Sequence, residues 1–163
     1  MHPHAALISG FYTAFQRRDH AAMGACYAPD ATFRDPVFQL HGWRVPAMWH
    51  MLCERGTDLQ ITFSNVTADD TAGTAEWDAR YSFSATRRPV HNRIRATFQF
   101  RGDQIIAHQD RFSLWRWSAQ ALGGRGLLLG WAPPVRRAIR RQAAKALEVF
   151  IREHGLAPGG PAS

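Results

Sequence analysis

The 163-residue sequence holds only two cysteines, Cys26 and Cys53, and one lysine, Lys145. So few thiols give no disulfide framework, and a reducing, cytoplasmic setting is the expectation. No apolar run approaches the ~20 residues that a bilayer-spanning helix needs. The opening residues, MHPHAALISGFYTAF, lack a basic stretch followed by an apolar core and a small-residue cleavage site, so no signal peptide is read. A Gly-rich phosphate loop, a Ser or Cys nucleophile motif, a helix-turn-helix signature, an RNA-binding motif and an internal repeat are all missing. The eight histidines show no recognisable ligand spacing, so neither a metal nor another cofactor is expected.

What is present is apolar and aromatic. Hydrophobic residues make up 45% and aromatics 12%, enough for a sizeable core in one domain. The formal net charge of +7 points to nucleic acid only if it is spread over a binding face. Here Arg136, Arg137, Arg140, Arg141, Lys145 and Arg152 stand against Glu148 and Glu153 in one C-terminal helical stretch. That pattern reads as a solvated helix face, with no nucleic-acid partner. LLLGW and the nearby arginines also allow contact with an anionic membrane, but the solvated face is the more ordinary reading, so no membrane contact is expected.

The chain is organised around residues 104–117, QIIAHQDRFSLWRW. On a strand with a side-chain period of two, Ile106, His108, Asp110, Phe112 and Leu114 share one face. Ile105, Ala107, Gln109, Arg111 and Ser113 take the other. An imidazole and a carboxylate then sit among apolar groups, and a buried carboxylate is costly unless paired, hydrogen-bonded or protonated. Either this face lines a cavity, or the pair is a satisfied internal network.

Upstream, residues 5–18 place Leu7, Phe11, Ala14 and Phe15 on one helical face. Asp19 is positioned to cap a second short helix, HAAMGACYA, which stops near Pro29. In ATFRDPVF, Phe33, Asp35 and Val37 alternate with Thr32, Arg34 and Pro36, and the proline marks an edge or broken strand. A third helix covers roughly residues 45–55 and ends at Gly56.

Strand patterns follow in LQITFSNV, with a phase shift before Val66, then in GTAEWDARYSFSA and HNRIRATFQF. The turn Arg101-Gly102-Asp103 joins the last of these to the central stretch as a hairpin. Pro133 and Pro134 can open a long helix with Val135, Ile139, Ala143, Leu147, Phe150 and Ile151 on one stripe. Helices, then antiparallel strands, then an added helix predict an α+β fold, with helices packed on one face of a curved sheet. Such a cone has one apolar mouth suited to a small ligand. The expected division is a core over residues 1–117, a helical extension of the same domain over 118–155, and a disordered tail over 156–163.

The segment FYTAFQRRDHAAMGACYAPDATFRDPVFQLHGW resembles the start of the nuclear transport factor 2-like superfamily. Its small-molecule branches include ketosteroid isomerases, SnoaL-like polyketide cyclases and limonene epoxide hydrolase-like enzymes. The resemblance covers about residues 5–117, and it implies the cone fold and a homodimer formed sheet to sheet. Arg95, Gln99, Gln109 and Arg111 are then interface or water-facing residues.

By the resemblance, Asp35 falls at the position of the isomerase general base, Phe11 at that of its oxyanion-hole tyrosine, and Ala96 at that of its protonated aspartic acid. Neither Phe11 nor Ala96 can donate a side-chain hydrogen bond, and an enolate loses on the order of 3 kcal/mol per missing donor. Steroid isomerisation is therefore disfavoured. The epoxide hydrolase branch uses an Asp-Arg-Asp set, but strand parity puts Arg93 and Arg95 outside. SnoaL-like cyclases place acid/base His and Asp groups in the cone, as His108 and Asp110 would stand.

Two functions remain open. One is a cofactor-independent isomerase, cyclase or hydrolase acting on a small apolar molecule, with Asp110 and His108 as acid/base pair and Asp35 as a second carboxylate. Trp77, Tyr81, Phe83, Phe98, Phe112 and Phe11 would line its pocket, with Trp43 at the mouth. The other is a non-catalytic module that binds a ligand or dimerises. For Asp35 the plainer alternative is an Asp-Pro turn whose carboxylate caps local amides.

Overall fold

The computed structural model describes residues 1–159. The tail expected from residue 156 lies partly outside them. The fold is the expected α+β: α1 (Pro3–Gln16), α2 (His20–Ala25), β1 (Tyr27–Arg34), β2 (Gln39–His41), α3 (Arg44–Arg55), β3 (Gln60–Ala68), β4 (Ala72–Ser82), β5 (Pro89–Arg101), β6 (Gln104–Arg111), α4 (Leu114–Leu122), α5 (Gly124–Leu129) and α6 (Pro133–Glu153). One six-stranded sheet has the order β2-β1-β6-β5-β4-β3. Every pairing is antiparallel except β1 with β6, which is parallel.

Alternation sorts the sheet into two faces. Phe33, Ile61, Ala75, Trp77, Ala79, Ile94, Ala96, Phe98 and Phe100 are buried and form one core with Ile8, Phe11, Tyr12 and Phe15 of α1 and Met48 and Trp49 of α3. Each fully buried large apolar side chain contributes about 1.5–3 kcal/mol, so this aromatic layer is the main source of stability. The opposite face carries exposed Thr74, Arg93, Arg95, Thr97, Gln99 and Arg111.

Bulges bend the sheet around α1. The phase shift read before Val66 is one of them: pairing slips between Ser64 and Thr67, and Asn65 has a φ of 53°. The Gly102 turn between β5 and β6 has a φ of 60°, a conformation that favours glycine. Its carbonyl accepts a hydrogen bond from His4 Nε2 at 2.7 Å, while His4 Nδ1 donates to the Asp69 carbonyl at 2.8 Å. One imidazole thereby ties the start of α1 to two strand-connecting turns.

Three expectations are corrected. First, Ile105 is fully buried and Ile106 is not, the reverse of simple parity. Ala107 pairs with Gln99 but Ile105 pairs with Phe100, so Ile106 is an extra residue at a bulge. Second, β6 ends at Arg111. Ser113 accepts a hydrogen bond from the Arg116 amide and caps α4, which makes Leu114–Trp117 helical despite their alternating pattern.

Third, α2 stops at Ala25, and Tyr27 and Ala28 belong to β1. The glycine-rich stretch after Leu122 forms α5. Gly126 makes this possible, since a Cβ there would lie 1.9 Å from the Ser118 carbonyl oxygen of α4. The α6 stripe packs on α3, not on the sheet, and only Leu147, Phe150 and Ile151 of it are buried. No helix among the described residues is long and apolar enough to cross a membrane.

Candidate functional site

Strand pairing places His108 at the centre of the inner face. It lies beside Phe33 on β1 and Phe98 on β5, and Asp110 lies opposite Ala96. The methyl group of Ala96 leaves room for the carboxylate. His108 and Asp110 are only 2% and 3% exposed, so the inward-facing reading is correct and neither is open to bulk water.

Both groups are paired. His108 Nε2 and Asp110 Oδ1 are 2.9 Å apart, and His108 Nδ1 and the Tyr27 hydroxyl are 2.7 Å apart. Trp49 Nε1 donates to the Tyr27 oxygen at 3.0 Å, and Trp77 Nε1 makes a longer 3.4 Å contact to Asp110 Oδ1. One proton arrangement satisfies the whole line: Trp49 N–H to Tyr27 O, Tyr27 O–H to Nδ1, and Nε2–H to the carboxylate. Rings fix the imidazole in place, with Phe98 at 4.3 Å, Phe33 at 5.0 Å, Phe11 at 5.8 Å and Trp49 at 5.9 Å between centroids.

Asp35 is partly buried. It follows β1, and its Oδ1 accepts from the amides of Val37 at 2.7 Å and Phe38 at 2.6 Å. The local capping turn is therefore real. Oδ2 has no protein partner among the described residues. Burial pushes the Asp35 carboxyl up to about 6, against the two amide hydrogen bonds that pull it down. The Asp110 charge raises it further and His108 lowers it, so Asp35 also senses the buried pair.

In the sequence Tyr12 is the neighbour of Phe11, turned about 100° away on α1, and was given no role in the site. Its hydroxyl is fully buried and has no hydrogen-bond partner among the described residues. The ring lies against Phe63, Trp77 and Phe98 and meets the Phe11 ring edge-on at 5.1 Å. Burial and then the Asp110 charge hold its pKa well above the usual tyrosine value. Tyr27 and Trp49 were also missed, although they complete the His108 line. Their positions follow from strand register and helix rotation, and no local sequence pattern marks them.

The residues expected to line a pocket divide into two groups. Phe11, Trp77 and Phe98 touch the His108–Asp110 centre through ring contacts or the Trp77 hydrogen bond. Tyr81 and Phe83 do not: the Tyr81 hydroxyl accepts from Trp117 Nε1 at 2.6 Å and Phe83 packs edge-on against the Trp117 ring, because α4 closes over that end of the sheet. Phe112 is half-buried against the core beyond the end of β6. Trp43 opens α3 and lines a separate outer groove of about 790 Å³ with Leu40, His41 and Pro46, its ring under the Arg44 guanidinium. Arg93 and Arg95 point to the outer face, and Arg95 pairs there with Glu76, so no Asp-Arg-Asp set forms.

Comparison with known proteins agrees with this geometry. The model of the SnoaL-like domain matches residues 8–108. No curated protein matches the chain. Among solved structures, a hypothetical protein from Catenulispora acidiphila with a ketosteroid isomerase-like fold, in complex with trimethylamine, is 18% identical with a TM-score of 0.62. That match covers 71% of this chain and 91% of the other.

A candidate polyketide cyclase from Xanthomonas campestris is 25% identical with a TM-score of 0.57, over 71% of this chain and 93% of that one. An epoxide hydrolase of the LEH-like type from M. tuberculosis is 17% identical with a TM-score of 0.59, over 77% and 92%. With its family match spanning α1 to the imidazole at the centre of β6, the chain belongs to the SnoaL-like domain family, with the fold of the nuclear transport factor 2-like and ketosteroid isomerase-like proteins.

Proposed function

We propose that the protein is a cofactor-independent enzyme that moves a proton on a small, largely apolar substrate, with Asp35 as the base. The observation that carries this is the placement of Asp35. It is the carboxylate of the site that keeps solvent contact, it has an unpaired Oδ2, and its pKa near 6 suits proton exchange around neutral pH. Asp110 and His108 act behind it as positioning residues. Their line of hydrogen bonds fixes the charge that Asp35 feels and leaves no proton free to exchange with water.

Tyr12 supplies the second half of the chemistry. When Asp35 takes a proton from carbon next to a carbonyl, the oxygen gains charge. A buried O–H without a partner can then donate to it, at no cost of breaking an earlier bond. By the resemblance, Phe11 and Ala96 fall at the positions of the steroid isomerase donors and can supply no such bond, so on this reading the donor comes from the neighbouring residue of α1. The structural relatives described as a candidate polyketide cyclase and an epoxide hydrolase are consistent with a small-molecule site in this fold, and fold likeness alone does not select the reaction.

A second reading has its own support. His108 and Asp110 are almost wholly buried and fully paired, which fits a stabilising network inside a binding module. Deuterium exchange into 2-tetralone, an apolar ketone with acidic α-hydrogens, separates the two. With the enzyme, exchange is expected to rise through a pD near 6 and to fall 10²-fold or more in Asp35→Asn. Exchange that is equal in the wild type and in Asp35→Asn refutes the proposal. Binding of the ketone, seen by tryptophan quenching, with no enzyme-dependent exchange supports the module instead.

A further inference from the structure

We propose that His50, Glu54 and His154 form a binding site for one divalent cation of borderline softness, with Zn²⁺ the best match. Their ligand atoms lie within 4.8 Å of one another, and they are the one such group among the described residues. His50 and Glu54 are four residues apart on α3, so they share a face of the helix. His154 caps the end of α6, a hundred residues on, and reaches the same carboxylate. Glu54 Oε1 is 2.8 Å from His154 Nε2, and Oε2 is 3.3 Å from His50 Nε2.

The His154 ring is held as a metal ligand usually is. His154 Nδ1 donates to the Phe150 carbonyl at 3.0 Å, which turns Nε2 toward Glu54. A ligating histidine commonly fixes its second nitrogen in this way. The His154 ring stacks on Phe150 at 3.8 Å, and His50 stacks on His20 at 3.6 Å. Ligands on a tetrahedral Zn²⁺, bound at 2.0–2.2 Å, are about 3.4 Å apart. Both Glu54–imidazole distances are already within that spacing and the imidazole nitrogens lie within 4.8 Å of one another, so a small rearrangement of these surface side chains suffices.

Two imidazoles and one carboxylate leave a fourth position for water, and the donor set favours Zn²⁺ over Mg²⁺ or Ca²⁺, which prefer all-oxygen shells. The site lies on the outer side of α3, whose inner side carries Trp49 of the hydrogen-bonded line. An ion here joins the end of α6 to α3. It clamps the helical extension and takes no part in the interior chemistry.

The test is titration of the tag-free full chain with ZnCl₂, followed by calorimetry and thermal melting. One Zn²⁺ per chain and a saturable rise in Tm are expected. Glu54→Gln and His154→Ala should each weaken binding about tenfold or more. The His2→Ala/His4→Ala variant, which removes the neighbouring histidine pair at the N-terminus, should bind as the wild type does. No saturable binding overturns the proposal. So does binding that survives in His50→Ala/His154→Ala, or that disappears with His2 and His4.

Discussion

Replacing Asp35 with asparagine should stabilise the protein above about pH 6 while removing its chemistry. In the fold the carboxyl titrates near 6, against an ordinary value of 3.8. The unfolded chain therefore ionises first as pH rises, and ionisation works against folding. Below pH 3.8 Asp35 is neutral in both states and costs nothing. Between 3.8 and about 6 stability is lost progressively, and above 6 the full cost of about 3 kcal/mol is present. Residual solvent contact reduces this to about 2–3 kcal/mol.

Asparagine keeps the oxygen that accepts from the Val37 and Phe38 amides, so the capping turn survives the change. Urea unfolding of both proteins at half-unit steps from pH 3.5 to 8 measures the difference, and other titrating groups cancel in the subtraction. The gap should be close to zero at the acid end, widen through pH 4–6 and then level off. A gap that does not vary with pH would mean that the carboxylate is solvated in the folded state, and the reasoning for Asp35 as a tuned base would fail.

Tyr27→Phe leaves both the Trp49 N–H and His108 Nδ1 without their partner, so a loss of about 2 kcal/mol or more is expected in urea unfolding. Tyr12→Phe removes a hydroxyl that bonds to nothing in the protein; its stability should be unchanged or slightly higher, while exchange into 2-tetralone falls. His4 donates to two carbonyls, those of Asp69 first and Gly102 second, and these hold its pKa above the usual value. Its clasp is complete below pH 6.5 and is lost as pH rises through the higher folded value, so amide protection factors at the start of α1, corrected for the intrinsic pH dependence of exchange, should fall on going to pH 8 in the wild type and show no such step in His4→Ala. Gly126→Ala drives a methyl into the Ser118 carbonyl, so α4 and α5 should separate and become protease-sensitive while the core sheet keeps its near-UV signal.

The sequence was most informative where one period ran uninterrupted. On β4 and β5 the alternation of Trp77 and Ala79, and of Ile94, Ala96 and Phe98, assigned the inner face correctly, and it also placed Arg93 and Arg95 outside. It identified His108 and Asp110 as inward-facing for the same reason. It failed where tertiary contact overrode the local pattern. The alternating tryptophans of LWRW sit on a helix because a serine caps it, and Tyr81 and Phe83 lie at the mouth of the cone only until α4 covers them.

Other features were out of reach because they join distant segments. Nothing near Tyr27 announces His108, which is 81 residues away, and nothing near Glu54 announces His154. Asp35 showed both faces of its reading at once. The turn that looked like an alternative to function is what holds one oxygen and leaves the other free.

The additional residue at Ile106 works as a spacer within β6. It separates two phases of the strand, so that Ile105 is buried in the core while His108 and Asp110 still face inward. Removing it would leave Ile105, Ala107 and His108 in unbroken alternation, with the same neighbours across the ladder. The extra residue is thus taken up as a local bulge, and the imidazole and its acid keep their inward address.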